Sequence, residues 1–290
     1  MNDQAEALRQ LVEQQKTSKQ ARAISVISGK GGVGKSNFSL NFSIALSNYG
    51  QKVLLIDMDI GMGNIDILLG NTPSRNIVHF FEGRLPLEDV ITEGPAGISY
   101  IAGGTGLSDI FHLDSEKENH FFSEFGRVVN LFDFVIFDMG AGISEDTLPF
   151  LLAADEIFVI ATPEPTAVTD AYAAIKYITL MQHNAPFSLI CNKAPGEKEG
   201  GLTIKRLQSA VKQFLGRDIQ GLGILPEDPE VQRAVIRQTP FLIANPRSKI
   251  SRALVSLAGE FLEKDSDKVT PSAATGFIRR LRKYMFGRKA

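Results

Sequence analysis

The sequence predicts an α/β fold: one doubly wound, mostly parallel sheet of seven or eight strands, with helices on both faces. Apolar runs at 23–28, 53–56, 134–137, 156–161, 187–191 and 219–225 read as strands buried on both sides, because a half-exposed strand would alternate. Stretches with helical apolar spacing, 37–49 and 167–181 among them, fall between those runs. Two of the runs end on aspartates, Asp57 and Asp138, at the strand ends where open sheets of this class place their ligands.

The first run opens onto Gly29-Lys30-Gly31-Gly32-Val33-Gly34-Lys35-Ser36, with Asn37 beginning the helical stretch. Strand, glycine-rich loop and helix in that order make the phosphate-binding P-loop pattern. Glycines let successive backbone N–H groups curl around a phosphate, and the helix N-terminus adds a favourable dipole. Lys35 is placed to reach the β- and γ-phosphates, and the Ser36 hydroxyl to ligate Mg²⁺. Asp138, after an apolar strand and before Met139-Gly140-Ala141-Gly142, fits a carboxylate that holds Mg²⁺ through water. A turn or strand end without a ligand accounts for each piece singly, but not for their sequence. The four histidines are scattered without ligand spacing and receive no role.

The second lysine narrows the pattern. Lys30-Gly31-Gly32-Val33-Gly34-Lys35-Ser36 resembles the deviant P-loop of the ParA/MinD group of ATPases, within the SIMIBI branch of P-loop proteins. That resemblance implies ATP and ADP with Mg²⁺, and an ATP-dependent homodimer in which Lys30 crosses to the partner's nucleotide, much as an arginine finger does. The segment Asp57-Met58-Asp59-Ile60-Gly61-Met62-Gly63-Asn64-Ile65-Asp66 resembles the family's D-x-D-x-G-x-x-N-x-D stretch. By that likeness Asp59 positions the attacking water and Asp57 supports the metal shell. The Asn192 side-chain amide suits an adenine edge, and Pro226-Glu227-Asp228 resembles the family's loop over the base. Asn192-Lys193 also suits guanine, but Pro195 stands where a guanine-binding motif has aspartate, which favours ATP.

Both ends read as appendages to an ATPase domain at 21–263. Residues 2–16 have a narrow apolar stripe and fit a short helix that is marginal alone in water. There Asp3-Gln4-Ala5, followed by Leu8-Arg9, resembles the D-Q-A-x-x-L-R arm of MinD-like flagellar regulators of the FlhG/FleN type. The resemblance implies that residues 1–20 stimulate a signal-recognition-type flagellar GTPase, with Gln4 as the activating side chain. Residues 264–275 have linker composition. In 276–290, Phe277, Ile278, Leu281, Tyr284 and Met285 fall within an arc of about 120° on a helical wheel, with Arg279, Arg280, Arg282 and Lys283 outside it. Phe286 falls off that arc. This is the pattern of a helix lying in an anionic bilayer interface, with packing on the protein's own domain as the competing reading.

Charge and composition bound the rest. With a net charge of −2, the six cations of 276–290 leave about −8 on the remainder, which argues against nucleic acid as a partner of the body. One cysteine rules out a disulfide framework and fits the reducing cytoplasm, and no apolar run approaches membrane length. The expectation is an ATP-driven dimerisation switch, cytoplasmic and reversibly peripheral on the membrane, that regulates flagellar number or placement; flagellar basal-body or switch proteins are further expected partners. A cell-division MinD, a DNA-partitioning ParA, a metabolic P-loop synthetase or kinase, and a nucleotide-binding scaffold without turnover are the alternatives.

Overall fold

The structure, a computed structural model, describes residues 21–59, 63–71, 73–81, 85–104, 115–181, 185–266 and 273–286. The residue 3–9 arm lies outside them. Strand β1 (Arg22–Ile27) feeds the glycine loop and helix α1 (Lys35–Asn48), and β2 (Val53–Met58) leads into the short α2 (Ile65–Leu69) and α3 (Ile77–Phe81). Then come β3 (Thr92–Glu93), β4 (Ser99–Ile101), α4 (Ser115–Val129), β5 (Phe134–Met139) and α5 (Leu148–Ala153). The second half runs β6 (Glu156–Ala161), α6 (Pro165–Leu180), β7 (Phe187–Ala194), α7 (Glu197–Leu215) and β8 (Gln220–Pro226). Four helices close the described chain: α8 (Pro229–Ile236), α9 (Phe241–Ala244), α10 (Lys249–Ser266) and α11 (Ala273–Phe286).

The strands form one 8-stranded sheet in the order β3-β4-β2-β5-β1-β6-β7-β8, parallel except for the antiparallel β3–β4 pair. From β1 the chain first crosses toward β2 and later continues outward through β6, so the order reverses beside β1. That reversal opens a crevice at the strands' carboxyl ends, above β1. Register places Asp57 of β2 directly beside Asp138 of β5, with β1 on the other side of β5. The continuous apolar runs are explained by two cores, one on each face of the sheet. Glu156, the acid that starts β6, is buried with hydrogen bonds from Arg22 and Ser188.

Helix α1 is buried through most of its length, which its small polar residues permit. Ser39 and Ser43 donate back to the carbonyls of Lys35 and Ser39 (3.1 and 2.7 Å), satisfying hydroxyls that would otherwise be stranded. Phe38 and Phe42 stack at 5.2 Å, and Phe158 and Phe261 meet Phe42 edge-on, fixing α1 against sheet and α10.

The C-terminal helix is part of the domain here. Phe277 and Leu281 are fully buried, and Ile278, Tyr284 and Met285 pack partly buried against the same core. Phe277 lies 5.5 Å from Phe137 and 6.3 Å from Phe125, centroid to centroid. Phe286, off the arc of the helical wheel, nevertheless meets Phe122 of α4 edge-on at 6.0 Å; α4 runs alongside and gives the helix a second wall. Arg280 pairs with Asp155 and donates from Nε to the Ala153 carbonyl at 2.8 Å, while Arg282 donates to Glu118 and Asn119. Helices also occupy both ends of the 264–275 stretch, since α10 reaches Ser266 and α11 begins at Ala273.

Candidate functional site

The glycine loop leaves β1 at the crevice and turns into α1 through Gly34, whose φ of 91° is in the left-handed region that a side chain disfavours. Gly29 is needed for a different reason. A Cβ there would lie 2.1 Å from the Asp170 carbonyl carbon and 2.5 Å from the Ala171 amide nitrogen, so α6 can approach the loop only over glycine.

Behind the loop lies a buried charge cluster. Lys35 Nζ donates to Asp138 Oδ1 at 3.1 Å, and the Ser39 hydroxyl donates to the same oxygen at 3.0 Å. Asp138 is fully buried, and its Oδ2 has no hydrogen-bond partner among the described residues. A buried carboxylate oxygen with no donor suits a hydrated cation, so the residues fit a Mg²⁺ shell. Ser36 stands half-buried one residue after Lys35. No group of three or more His, Cys, Asp or Glu side chains among the described residues could hold a metal. That agrees with Mg²⁺, which is bound by one or two carboxylates with water and phosphate.

Asp57, expected to support the metal shell, accepts three backbone N–H groups. Its Oδ1 accepts the Asp59 N–H at 2.9 Å, and its Oδ2 accepts those of Asn64 at 2.9 Å and Ile65 at 3.1 Å. Asp57 thus ties the N–H groups of Asp59, Asn64 and Ile65 to one carboxylate and helps to place Asp59. Burial and the neighbouring Asp138 charge push the Asp57 carboxyl up to about 7, against the pull of the three N–H donors. Asp59, further out, accepts from Asn64 Nδ2 at 3.0 Å. Burial raises its pKa too, and the nearby Lys35 charge opposes the rise.

Lys30 lies at the rim, where Nζ donates to Glu164 Oε2 at 2.5 Å and to Thr166 Oγ1 at 3.1 Å. Its ammonium holds the Glu164 carboxyl below the usual range. At the tip of β7, Asn192 Nδ2 donates to the Val33 carbonyl at 2.8 Å, which spends on the loop an amide hydrogen expected to meet a base. Lys193 Nζ donates to the Gly32 carbonyl at 2.7 Å. Asp228 is likewise committed: Oδ1 caps α8 through the Glu230 N–H and Oδ2 accepts from Ile250 of α10, so of Pro226-Glu227-Asp228 the aspartate holds the loop's shape. Burial pushes the Cys191 thiol up to about 11, leaving it protonated and unreactive at neutral pH.

The structure therefore brings Lys30, Lys35, Ser36, Asp59 and Asp138 to one crevice. Asn64 and Lys193, named only as parts of motifs, join them, as do Ser39, Glu164 and Thr166, which were not singled out. Of these three, Ser39 carries a legible hint, a hydroxyl one helical turn beyond Ser36.

Fold and crevice together define a P-loop ATPase of the doubly wound class. Residues 21–190 match a protein family described as an AAA domain. The antiactivator FleN of Pseudomonas aeruginosa is 35% identical over 82% of this chain and 85% of its own. The flagellum site-determining protein YlxH of Helicobacter pylori is 33% identical over 90% of each chain. Among solved structures, the septum site-determining protein MinD of Pyrococcus horikoshii, complexed with Mg-ADP, aligns with a TM-score of 0.69 and 25% identity over 86% of this chain and 99% of that one. The chain belongs to the MinD/ParA family of ATPases.

Proposed function

We propose that this chain is an ATP-driven switch of dimerisation and membrane association that regulates flagellar number or placement. The observation that carries the reading is the P-loop lysine paired with the buried Asp138, in a chain whose similarity to FleN and YlxH spans most of its length. In this reading Lys35 exchanges Asp138 for phosphate oxygens when ATP binds. Asp138 and Ser36 would hold the Mg²⁺ shell, and that ion would supply charge compensation for the transferred phosphoryl group. Asp59, steadied by Asn64, orients a water for attack. Lys30 leaves Glu164 and Thr166 to reach the partner's nucleotide, so a second copy completes the site.

The docked α11 is the own-domain packing that competes with a membrane helix, and the reading joins the two as a resting state and a released one. Its apolar face is buried while Arg279, Arg282 and Lys283 stay exposed, so the surface that would enter a bilayer is covered until the helix undocks. A dimer would offer two such helices and gain avidity by orders of magnitude. No described helix is long and apolar enough to cross a membrane. The arm would carry the flagellar part by stimulating a signal-recognition-type GTPase through Gln4.

GTP hydrolysis by that GTPase, followed with a peptide of residues 1–20, tests the assignment. Acceleration that disappears with Gln4→Ala supports it. Absence of acceleration sinks the flagellar arm and favours a septum-type MinD switch, a reading supported by Bacillus subtilis MinD, 30% identical over 83% of this chain.

A further inference from the structure

The tip of β7 departs from strand geometry at the point where it meets the glycine loop. Lys193 sits at φ 53°, a left-handed conformation that a non-glycine residue keeps only where its surroundings fix it. The β7–β8 register shifts between Cys191 and Ala194. In a regular strand, neighbouring side chains point to opposite faces. Here both Asn192 and Lys193 reach the same loop, at 2.8 Å from the Val33 carbonyl and 2.7 Å from the Gly32 carbonyl. Asn192 also comes so near that a Cβ on Gly34 would lie 2.4 Å from its Nδ2.

These two contacts set two consecutive peptide planes. In a trans peptide the C=O and N–H point in opposite directions. Drawing the Gly32 and Val33 oxygens toward β7 therefore turns the N–H groups of Val33 and Gly34 to the other side of the loop. Neither N–H donates to any described residue. Two adjacent N–H groups held outward together form the concave anion site that a phosphate occupies.

We propose that Asn192 and Lys193 are positioning residues, a back plate that aims the loop's N–H groups at phosphate, so that Lys193 governs phosphate affinity and not choice of base. This rests on the P-loop being the nucleotide site. Lys193 gives the cleaner test, because Asn192 has a carbonyl oxygen left over for other partners. Lys193→Met keeps the stem and removes the donor; Lys193→Arg keeps a donor.

Full-length wild type and both variants are titrated, with Mg²⁺ present, by competition against a fluorescent ADP analogue, using ADP, GDP and tripolyphosphate as competitors. Thermal melting is followed alongside. A charge-assisted hydrogen bond from a partly solvated lysine predicts that Lys193→Met weakens ADP and tripolyphosphate by the same factor, about tenfold. The ADP-to-GDP ratio and the melting temperature should hold, and Lys193→Arg should recover most of the loss. Weaker ADP binding with tripolyphosphate unchanged would make Lys193 a base or ribose contact and overturn the proposal. So would equal affinities in wild type and Lys193→Met. A wild type that binds none of the three competitors would instead remove the nucleotide reading itself, and the back plate with it.

Discussion

Asp155→Asn should loosen the C-terminal helix without touching the helix itself. Asp155 Oδ2 accepts the Ala23 N–H at 2.9 Å, and Oδ1 meets Arg280 of α11. An asparagine oxygen can keep the first contact, but its amide then turns a donor toward the guanidinium. The ion pair is partly screened, with side-chain exposures of 33% for Arg280 and 15% for Asp155, so its loss belongs at the low end for charged hydrogen bonds, about 1.5 kcal/mol. That is roughly a tenfold rise in the undocking equilibrium. Fully buried Phe277 and Leu281 each contribute about 1.5–3 kcal/mol to docking, so the helix remains mostly in place. The assay is amide hydrogen exchange without nucleotide, where protection tracks the opening equilibrium. Amides of Ala273–Phe286 should exchange about tenfold faster, while those of β5 keep the wild-type rate. Sedimentation with anionic vesicles should rise in parallel. Unchanged α11 exchange would show that the Asp155 pair does not hold the helix. Equal acceleration in β5 would show global loosening in place of local release.

Asp59→Ala should lower ATP turnover by about a hundredfold or more while leaving ADP affinity near wild type, since the side chain is assigned to the attacking water and not to ground-state binding. Equal turnover in the two proteins would remove it from the mechanism. Gly29→Ala drives a Cβ into the α6 backbone at 2.1–2.5 Å, and overpacking of this kind costs about 1–3 kcal/mol, which scanning calorimetry should register as a melting point about 5 °C lower. The nucleotide-free protein should lose stability as pH rises from about 4 to about 7. Asp57 is pushed up to about 7 when folded, so across that window the folded chain holds a proton the unfolded chain has released. The total is on the order of 4 kcal/mol, it levels off above pH 7, and the raised Asp59 adds in the same sense. Urea midpoints measured between pH 5 and 8 should show the slope, and Asp57→Asn should flatten it.

What could be read in the sequence is what neighbouring residues settle among themselves. The runs ending in Asp57 and Asp138 became parallel strands of the sheet interior, with the two aspartates side by side, because an unbroken apolar run has no exposed face to offer. The hairpin-like β3–β4 pair was not legible: strands of two and three residues carry no periodicity. Nor could a helical wheel place Phe286. A wheel assumes one apolar wall, and α11 has α4 as well as the sheet side to pack against.

The residues whose roles moved have one thing in common. Asp57, Asn192 and Asp228 were each assigned toward nucleotide or metal by chemistry that fits them, and each bonds backbone groups: Asp57 those of Asp59, Asn64 and Ile65, Asn192 through its Nδ2 that of Val33, and Asp228 those of Glu230 and Ile250. A buried carboxylate or amide must find donors or acceptors wherever it lies. At the carboxyl edge of a parallel sheet the nearest ones are the N–H and C=O groups of loops that cannot pair within the sheet. Residue type alone therefore identifies the crevice but cannot separate a side chain that meets ligand from one that holds the ligand's loop. The separation depends on chain return: Asn192 and the carbonyl it binds are 159 positions apart in the sequence. Asp138 Oδ2 shows the opposite behaviour. It is fully buried and has no hydrogen-bond partner among the described residues, the state expected of a carboxylate that meets a ligand and not a loop.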